Sequence, residues 1–446
     1  MTGRAGGGSA EAVSGLRAAR TSLAGALRNR VWWRIAWRNL WRNRRRTLIT
    51  ASALAVGFFG AVLMVALDDG IAAELVDNGT GVLTGQVQIH AREWRRDRSL
   101  YATIGGDSGV DVAALLARVR AAPGVTAAAP RVWAGGLLSA GDHTEGALLM
   151  GVDFELERGV SRLLGSLVSG RAPQAGAREV AIGVELAKKL AVRVGAAVVV
   201  VAPAADGSMG NDLYRISGIF STGLDALDGA YAILPIGTLQ ALLALAPGRI
   251  HEVAVAVPDP WTASAAAGAI ASRLAAAGVA GVEVAPWTVF SPEIDEYARL
   301  VKASNGLVVG IVFLFAIFGV ANTSLMGTYE RRREFAVVRA LGVGPAGVAR
   351  TVVYESLALG LLGLAGGAVI TAPILMWWHH TPLDLSGLIG NLEMAGALVR
   401  PVLRIEYSAD GPVLGALGLL LTAVLASLYP AVRAARVPPA DALAGR

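Results

Sequence analysis

LITASALAVGFFGAVLMVAL, residues Leu48–Leu67, is a run of 20 residues without a charge. At ~1.5 Å per residue, a helix of that length crosses a ~30 Å hydrocarbon layer. Three more such runs, Leu307–Met326, Ser356–Trp378 and Pro412–Val432, close the chain, while residues 68–306 are ordinary mixed sequence. The expected fold is a membrane protein with four transmembrane α-helices in a 1+3 layout. A large α+β extracytoplasmic domain is inserted between helices 1 and 2. Composition agrees: 54% of the 446 residues are hydrophobic and the mean hydropathy is +0.53, high for a soluble globular chain. There is no cysteine, which excludes disulfides and thiolate-bound metal. The net charge of +6 sits in arginine clusters at the edges of the apolar runs, which suits a membrane surface better than a nucleic acid.

Those arginines orient the chain. Arg28, Arg30, Arg34, Arg38, Arg42, Arg44, Arg45 and Arg46 precede the first run with no acid among them. Arg331, Arg332, Arg333, Arg339 and Arg350 follow the second run, and Arg433 and Arg436 follow the fourth. The first run exits into Asp68 and Asp69. The excess of arginine on cytoplasmic loops then places both termini and the 327–351 loop in the cytoplasm. The expected segments are a disordered N-terminus (1–26), an interfacial amphipathic helix (27–47) and a first span (48–67). The extracytoplasmic domain with helical stalks (68–306) comes next, then a second span (307–326) and a cytoplasmic loop (327–351). A third span (352–378), an outer loop (379–411), a fourth span (412–432) and a cytoplasmic tail (433–446) complete the chain. In the 31–46 stretch, Trp33, Trp37, Leu40 and Trp41 share one helical face, and Arg34, Arg38, Arg42 and Arg45 another. That pattern lies in a bilayer interface, either as a topology anchor or with a part in gating.

The insert alternates strand-like stretches (Gly85–Ala91, Gly146–Val152, Glu179–Ile182, Ala196–Ala202, Leu213–Ile219, Glu252–Val257) with helix-like ones (Val112–Ala122, Gly183–Leu190, Ile236–Leu245, Trp261–Ala277). This reads as an α+β domain, with two lobes as one arrangement. Helical stretches Asp68–Asn78 and Pro292–Asn305 should run straight on from the first span and into the second.

Catalytic motifs are absent. No GxxxxGK[ST] occurs, and Lys188, Lys189 and Lys302 are the only lysines, so the chain has no P-loop for ATP. GxSxG, HExxH and CxxC are missing too, and the chain reads as a non-enzyme with no cofactor or metal of its own. His379 and His380 end the third run beside Trp377 and Trp378 and read as an interfacial anchor. Glu355, at the cytoplasmic start of the third span, either pairs with Arg350 or Arg339 or makes a moving contact. Asn322 suits an interhelical hydrogen bond, and Gly360, Gly363, Gly366 and Gly367 suit close packing of the third span.

Between the second and third runs lies ERRREFAVVRALGV, residues 330–343. Phe335, Val338 and Leu341 form an apolar stripe beside Glu330, Arg331, Glu334 and Arg339, and Gly342 ends the helix. Such a helix either lies on lipid or docks into a partner's groove.

With Tyr354-Glu-Ser-Leu357 and the glycine-rich run after it, this stretch resembles the coupling region of FtsX/MacB-type ABC transporter permeases. The opening Ala36-Trp-Arg-Asn-Leu-Trp-Arg-Asn-Arg-Arg-Arg46 and the ending Tyr429-Pro-Ala-Val-Arg-Ala-Ala-Arg-Val-Pro-Pro-Ala-Asp-Ala-Leu443 resemble that family as well. The insert is most similar to the lipoprotein-releasing LolC/LolE type. The similarity rests on Gly85-Gln-Val-Gln-Ile-His90, Gly151-Val-Asp153 with Glu157, Glu185-Leu-Ala-Lys-Lys-Leu190 before Val194-Gly195, and Tyr214–Gly223 with Asp228. Phe154 and Ala196 depart from the family pattern, which often has proline and an acid at those places.

The resemblance implies a permease subunit working by mechanotransmission in the bacterial inner membrane, with the insert periplasmic. The coupling helix would dock on a separate ATPase, present in two copies and carrying ATP and Mg. A second permease, the same chain or a paralogue, would pair with it. The substrate would be a lipoprotein whose acyl chains touch Phe58, Phe59, Val62 and Met64, and engagement of a periplasmic carrier stays open. Other readings are a MacB-like permease for peptide or toxin efflux through an outer-membrane duct and an FtsX-like scaffold that regulates a cell-wall hydrolase.

Overall fold

The computed structural model describes residues 30–94, 99–106, 109–384, 392–394, 397–399, 402–403, 405 and 409–438. The N-terminus expected at 1–26, residues 439–446 of the tail expected at 433–446, and most of 385–408 in the outer loop expected at 379–411 lie outside the described residues. Along the chain, helix α1 (Arg30–Thr84) comes first. Strand β1 (Val87–Ala91), helix α2 (Val112–Arg120) and strands β2 (Ala127–Ala140) and β3 (His143–Val152) follow. Then come β4 (Leu167–Gly170), β5 (Glu179–Gly183), β6 (Ala197–Pro203), β7 (Met209–Phe220), β8 (Tyr231–Pro235) and β9 (Glu252–Ala256). Helix α3 (Ala263–Ala276) and strand β10 (Val282–Pro286) complete this part. Helices α4 (Pro292–Glu330), α5 (Arg332–Ala340), α6 (Pro345–His380) and α7 (Asp410–Ala435) close the chain. Four of these helices, α1, α4, α6 and α7, are long and apolar enough to cross a membrane.

The chain divides into a helical unit (Met1–Gly70, Lys302–Leu383, Arg404–Arg446) and a sheet unit (Ile71–Val301, Asp384–Leu403). The boundaries fall inside α1 and α4, which are unbroken there.

In the sheet unit, ten strands join in one sheet, ordered β10-β1-β9-β2-β3-β8-β5-β7-β4, with β6 bridging β2 and β7. The pairings β2–β3–β8–β5–β7–β6–β2 therefore close on themselves. Two of those pairs, β3–β8 and β5–β7, are parallel. Strand β2 makes closure possible by changing partner along its length. Residues Ala127–Arg131 pair with β9, while Leu137–Ser139 pair with β6. Leu138, Leu149, Val180, Ile182, Val198, Val200 and Ile216 belong to one buried apolar core, as expected where a small ring is filled by alternating inward side chains. Strands stand at all six stretches read as such from the alternation. The ten strands are joined by hydrogen bonds into one sheet, in which β2, β4, β8 and β10 are additional. Helix α1 ends in a π-turn, Thr80–Thr84, and Gly85 follows at φ +74. A Cβ there would sit 3.0 Å from the Val255 carbonyl oxygen, so only glycine suits the close step onto the sheet.

In the helical unit, glycines let the long helices approach. A Cβ on Gly363 would meet Leu54 at 2.6 Å and one on Gly367 would meet Phe58 at 2.8 Å. Gly415 of α7 faces Val62 and Phe58, and Gly360 faces Ala423. Without a hydrophobic drive between helices in lipid, such close contact is what holds them. The buried cluster of Leu54, Phe58, Val62, Val309, Phe313, Leu359 and Leu419 is the result.

Candidate coupling site

Helix α5 is short, and two apolar residues turn it inward. Phe335 is only 5% exposed and packs with Val348, Val352, Ala431 and Ala434, while Ala336 packs on Val437. Phe335 is thus a root of the helix in the spans rather than part of an outward stripe. The outward edge is Val337, Val338 and Leu341, the last 80% exposed. Gly342 at φ +96 ends the helix. Arg339 donates to the Val437 carbonyl and fastens the far end.

A polar network ties α5 to α1 and α6. Arg331 Nη1 donates to both Glu355 oxygens at 2.8 and 2.7 Å, and its Nε donates to Glu334 at 3.1 Å. Asn39 Nδ2 donates to Glu355 at 2.6 Å. Arg42 meets Glu334 at 2.8 Å, and Arg46 meets Glu330 at 3.2 Å. The Arg331 guanidinium also lies 5.1 Å from the Phe335 ring centroid, a cation–π distance. Burial alone would lower the Arg331 pKa, but Glu355 and Glu334 outweigh it and hold the group firmly charged. Partial burial opposes the shift of Glu334, yet Arg42 and Arg331 pull its carboxyl below the usual range. The network lines a polar cavity of about 300 Å³ that also takes in Thr47, Thr50, Ser324 and Ser356.

Several expectations change. Glu355 pairs with Arg331 and Asn39, not with Arg350 or Arg339. Asn322 is exposed and has no interhelical hydrogen bond among the described residues; the polar contact between α4 and α6 is Ser324 to Ser356 at 3.5 Å. Phe58 and Val62 are buried among α1, α6 and α7, while Phe59 and Met64 remain partly exposed. Trp33 turns inward to Tyr354, with centroids 5.3 Å apart, and Leu40 is buried, whereas Trp37 and Trp41 stay exposed. The aromatic face expected on 31–46 is split. Asn39, Arg42 and Arg46 were legible only as surface polarity, because their acidic partners lie about 300 residues away.

Residues 47–273 match the MacB-like periplasmic core domain, and residues 306–439 match the FtsX-like permease C-terminal domain. The chain belongs to the FtsX/MacB superfamily of ABC transporter permeases. Within it, the chain is 26% identical over 330 residues to the lipoprotein-releasing system transmembrane protein LolC of Xylella fastidiosa strain Temecula1, covering 72% of this chain and 78% of that one. It is 23% identical to the LolC of Neisseria meningitidis serogroup B, covering 89% and 93%. The macrolide export ATP-binding/permease protein MacB of Acinetobacter baylyi is 21% identical over 90% of this chain and 57% of its own length. The crystal structure of the MacB periplasmic region from Actinobacillus actinomycetemcomitans aligns at TM-score 0.34 and 15% identity, over 48% of this chain and 94% of that one. As a member of the superfamily, the protein is a multi-pass membrane permease with a MacB-type periplasmic domain.

Proposed function

We propose that this chain is the membrane subunit of an ABC transporter that couples a separate ATPase to the release of lipoproteins from the inner membrane. The observation that carries the coupling role is α5. It is fastened to α1 and α6 through Arg331 and Glu355, while Val338 and Leu341 face outward for a partner. Push on such a helix moves the ends of the spans with it, because ion pairs and Phe335 leave it little freedom of its own. Two ATPase subunits bring the ATP and Mg. Residues 327–351 and both termini lie in the cytoplasm, and residues 68–306 lie in the periplasm. Helices α1 and α4, unbroken between the units, carry the motion. A second permease, the same chain or a paralogue, covers the exposed face of α4 at Leu307, Phe315 and Phe318. The lipoprotein cargo rests on the relation to the LolC proteins, with Phe58, Phe59, Val62 and Met64 of α1 as its acyl contacts. Export of a peptide is the second reading, carried by the MacB relation over 90% of the chain.

The test uses Leu341→Asp in the full chain, purified from its own membrane with whatever binds it. A charge on the docking edge should abolish ATPase co-purification while leaving membrane insertion intact. Acylated lipoproteins co-purifying with the unaltered chain support release. An outer-membrane duct in their place moves the cargo to the second reading. Undiminished ATPase binding by Leu341→Asp overturns the docking assignment.

A further inference from the structure

Within the sheet unit, a cavity of about 760 Å³ lies where the end of α1 meets the turn at residues 158–166 and the exit of β7. That is the size of a small-molecule pocket. The charged side chains that line it are Arg158 and Arg162, and no carboxylate is among its described lining residues. Arg162 is fixed in place. Its Nη1 donates to Asp77 Oδ2 at 2.7 Å, and its Nη2 donates to the Asp77 carbonyl at 2.8 Å and to Asn78 Oδ1 at 3.0 Å. Asp77 balances that charge but leaves the Arg162 Nε–H without a partner among the described residues. Arg158 is exposed, and its guanidinium has neither an ion pair nor a hydrogen bond among the described residues. The cavity wall is therefore net positive. Ser161 sits between the two arginines in sequence, is 5% exposed, and its Oγ has no hydrogen-bond partner. Ser217 of β7 is left in the same way but does not line the cavity. The other hydroxyls of the wall are already spent. Ser166 donates to the Leu163 carbonyl at 2.6 Å, and Ser221 and Thr222 donate to Asp228 at 3.1 and 2.8 Å.

We propose that this cavity binds the phosphate group of a phosphate ester, with Arg158 supplying the charge and Arg162 Nε and Ser161 Oγ the orienting hydrogen bonds. Guanidinium groups hold oxyanions through directed, charge-assisted N–H bonds. Three donors on three residues suit the three acceptor oxygens of a phosphate group better than the two coplanar oxygens of a carboxylate. Val82, Leu164 and Leu167 add apolar surface to the same wall, which suits an organic ester better than a bare ion. A soluble ester and a lipid headgroup share this chemistry. Asn78 stands about 16 Å of helix beyond Leu67 at ~1.5 Å per residue, whereas headgroups reach only roughly 5–8 Å past the hydrocarbon. The soluble ester is the better match. The inference concerns the sheet unit alone and stands whichever cargo the transporter moves.

The test is isothermal titration calorimetry on the full chain in dodecyl maltoside micelles, which carry no phosphate. The probes are sn-glycerol 3-phosphate, short-chain dihexanoyl phosphatidylglycerol and, as a carboxylate of similar size, succinate. Glycerol 3-phosphate should bind saturably at one site per chain, and succinate at least tenfold more weakly. Arg158→Gln should weaken the phosphate ester roughly tenfold or more, the worth of one charged hydrogen bond, and Ser161→Ala about fivefold. Because Arg158 is exposed, its variant should keep the thermal unfolding midpoint. Gly165 lines the cavity, and a Cβ there would meet nothing within 4 Å, so Gly165→Phe should obstruct binding without displacing protein. Saturable binding of the short-chain lipid but not of glycerol 3-phosphate keeps the phosphate site and assigns it to a headgroup. No saturable binding of either phosphate probe, succinate binding as tightly, or an affinity unaltered by Arg158→Gln overturns the proposal.

Discussion

Arg131 has no exposed surface, yet it makes five hydrogen bonds. Its guanidinium bonds Glu157 at 2.6 and 3.1 Å and Glu252 at 3.2 Å, and it reaches the Leu83 and Thr84 carbonyls at the end of α1. Helix ends leave carbonyls without partners, and here a buried cation from β2 satisfies two of them. Trp133 Nε1 holds the second oxygen of Glu252 at 3.0 Å. Removing one partner of a buried pair strands the other charges. Arg131→Met should therefore cost about 3–5 kcal/mol and lower the thermal unfolding midpoint of the purified chain, followed by tryptophan fluorescence; an unmoved midpoint would contradict it. Burial pushes the Glu252 carboxyl above its ordinary 4.5, against the pull of Arg131 and with repulsion from Glu157. The folded form thus binds this proton more tightly than the unfolded chain. Its contribution is full below 4.5 and fades as pH rises through the higher folded value. Glu252→Gln should flatten that decline in a pH series of unfolding midpoints, and an unchanged slope would place the titration elsewhere.

At the scale of the element, α5 shows what periodicity cannot decide. Phe335, Val338 and Leu341 are spaced as one stripe, but nine residues of helix give apolar groups on two edges. Packing took Phe335 and Ala336 and left Val337, Val338 and Leu341 outside. Glu334 lies between Arg42 and Arg331, so Glu334→Arg should set three cations together and free the helix from α1. ATPase stimulation should fall even where ATPase binding, measured by pull-down, survives; full stimulation would argue against transmission through this network. The glycines of α6 make a second case. Gly363→Leu drives a side chain into Leu54. Overpacking of that kind costs about 1–3 kcal/mol, read as a lower melting temperature in detergent. The same change at Gly310, with nothing within 4 Å of its Cβ position, should cost far less. Equal losses would refute the packing role.

For the whole molecule, the arginine bias argues one topology. A compartment-sensitive reporter fused after Gly106 should report the periplasm and one fused after Gly344 the cytoplasm. Any other pattern reverses the assignment of 68–306 and 327–351. The chain contains no cysteine, so single cysteines at the same places can check it by reagent access without further substitutions.

The four spans, the alternation of the insert and the coupling stretch were readable because each is local: length, period and neighbouring charge are properties of contiguous residues. Strand β2 was not readable. AAAPRVWAGGLLSA has alanine, glycine and proline where strands favour branched and aromatic residues, and its state is set by β3, β6 and β9 around it. The partners of Glu355, the inward turn of Phe335 and the burial of Arg131 were equally hidden. Sequence by itself determined which segments are apolar, where they end and which side their arginines favour. Tertiary structure alone decided which charges meet and which face of each helix is covered, because those pairings join residues from 24 to 316 positions apart, and only the folded chain brings them within bonding distance.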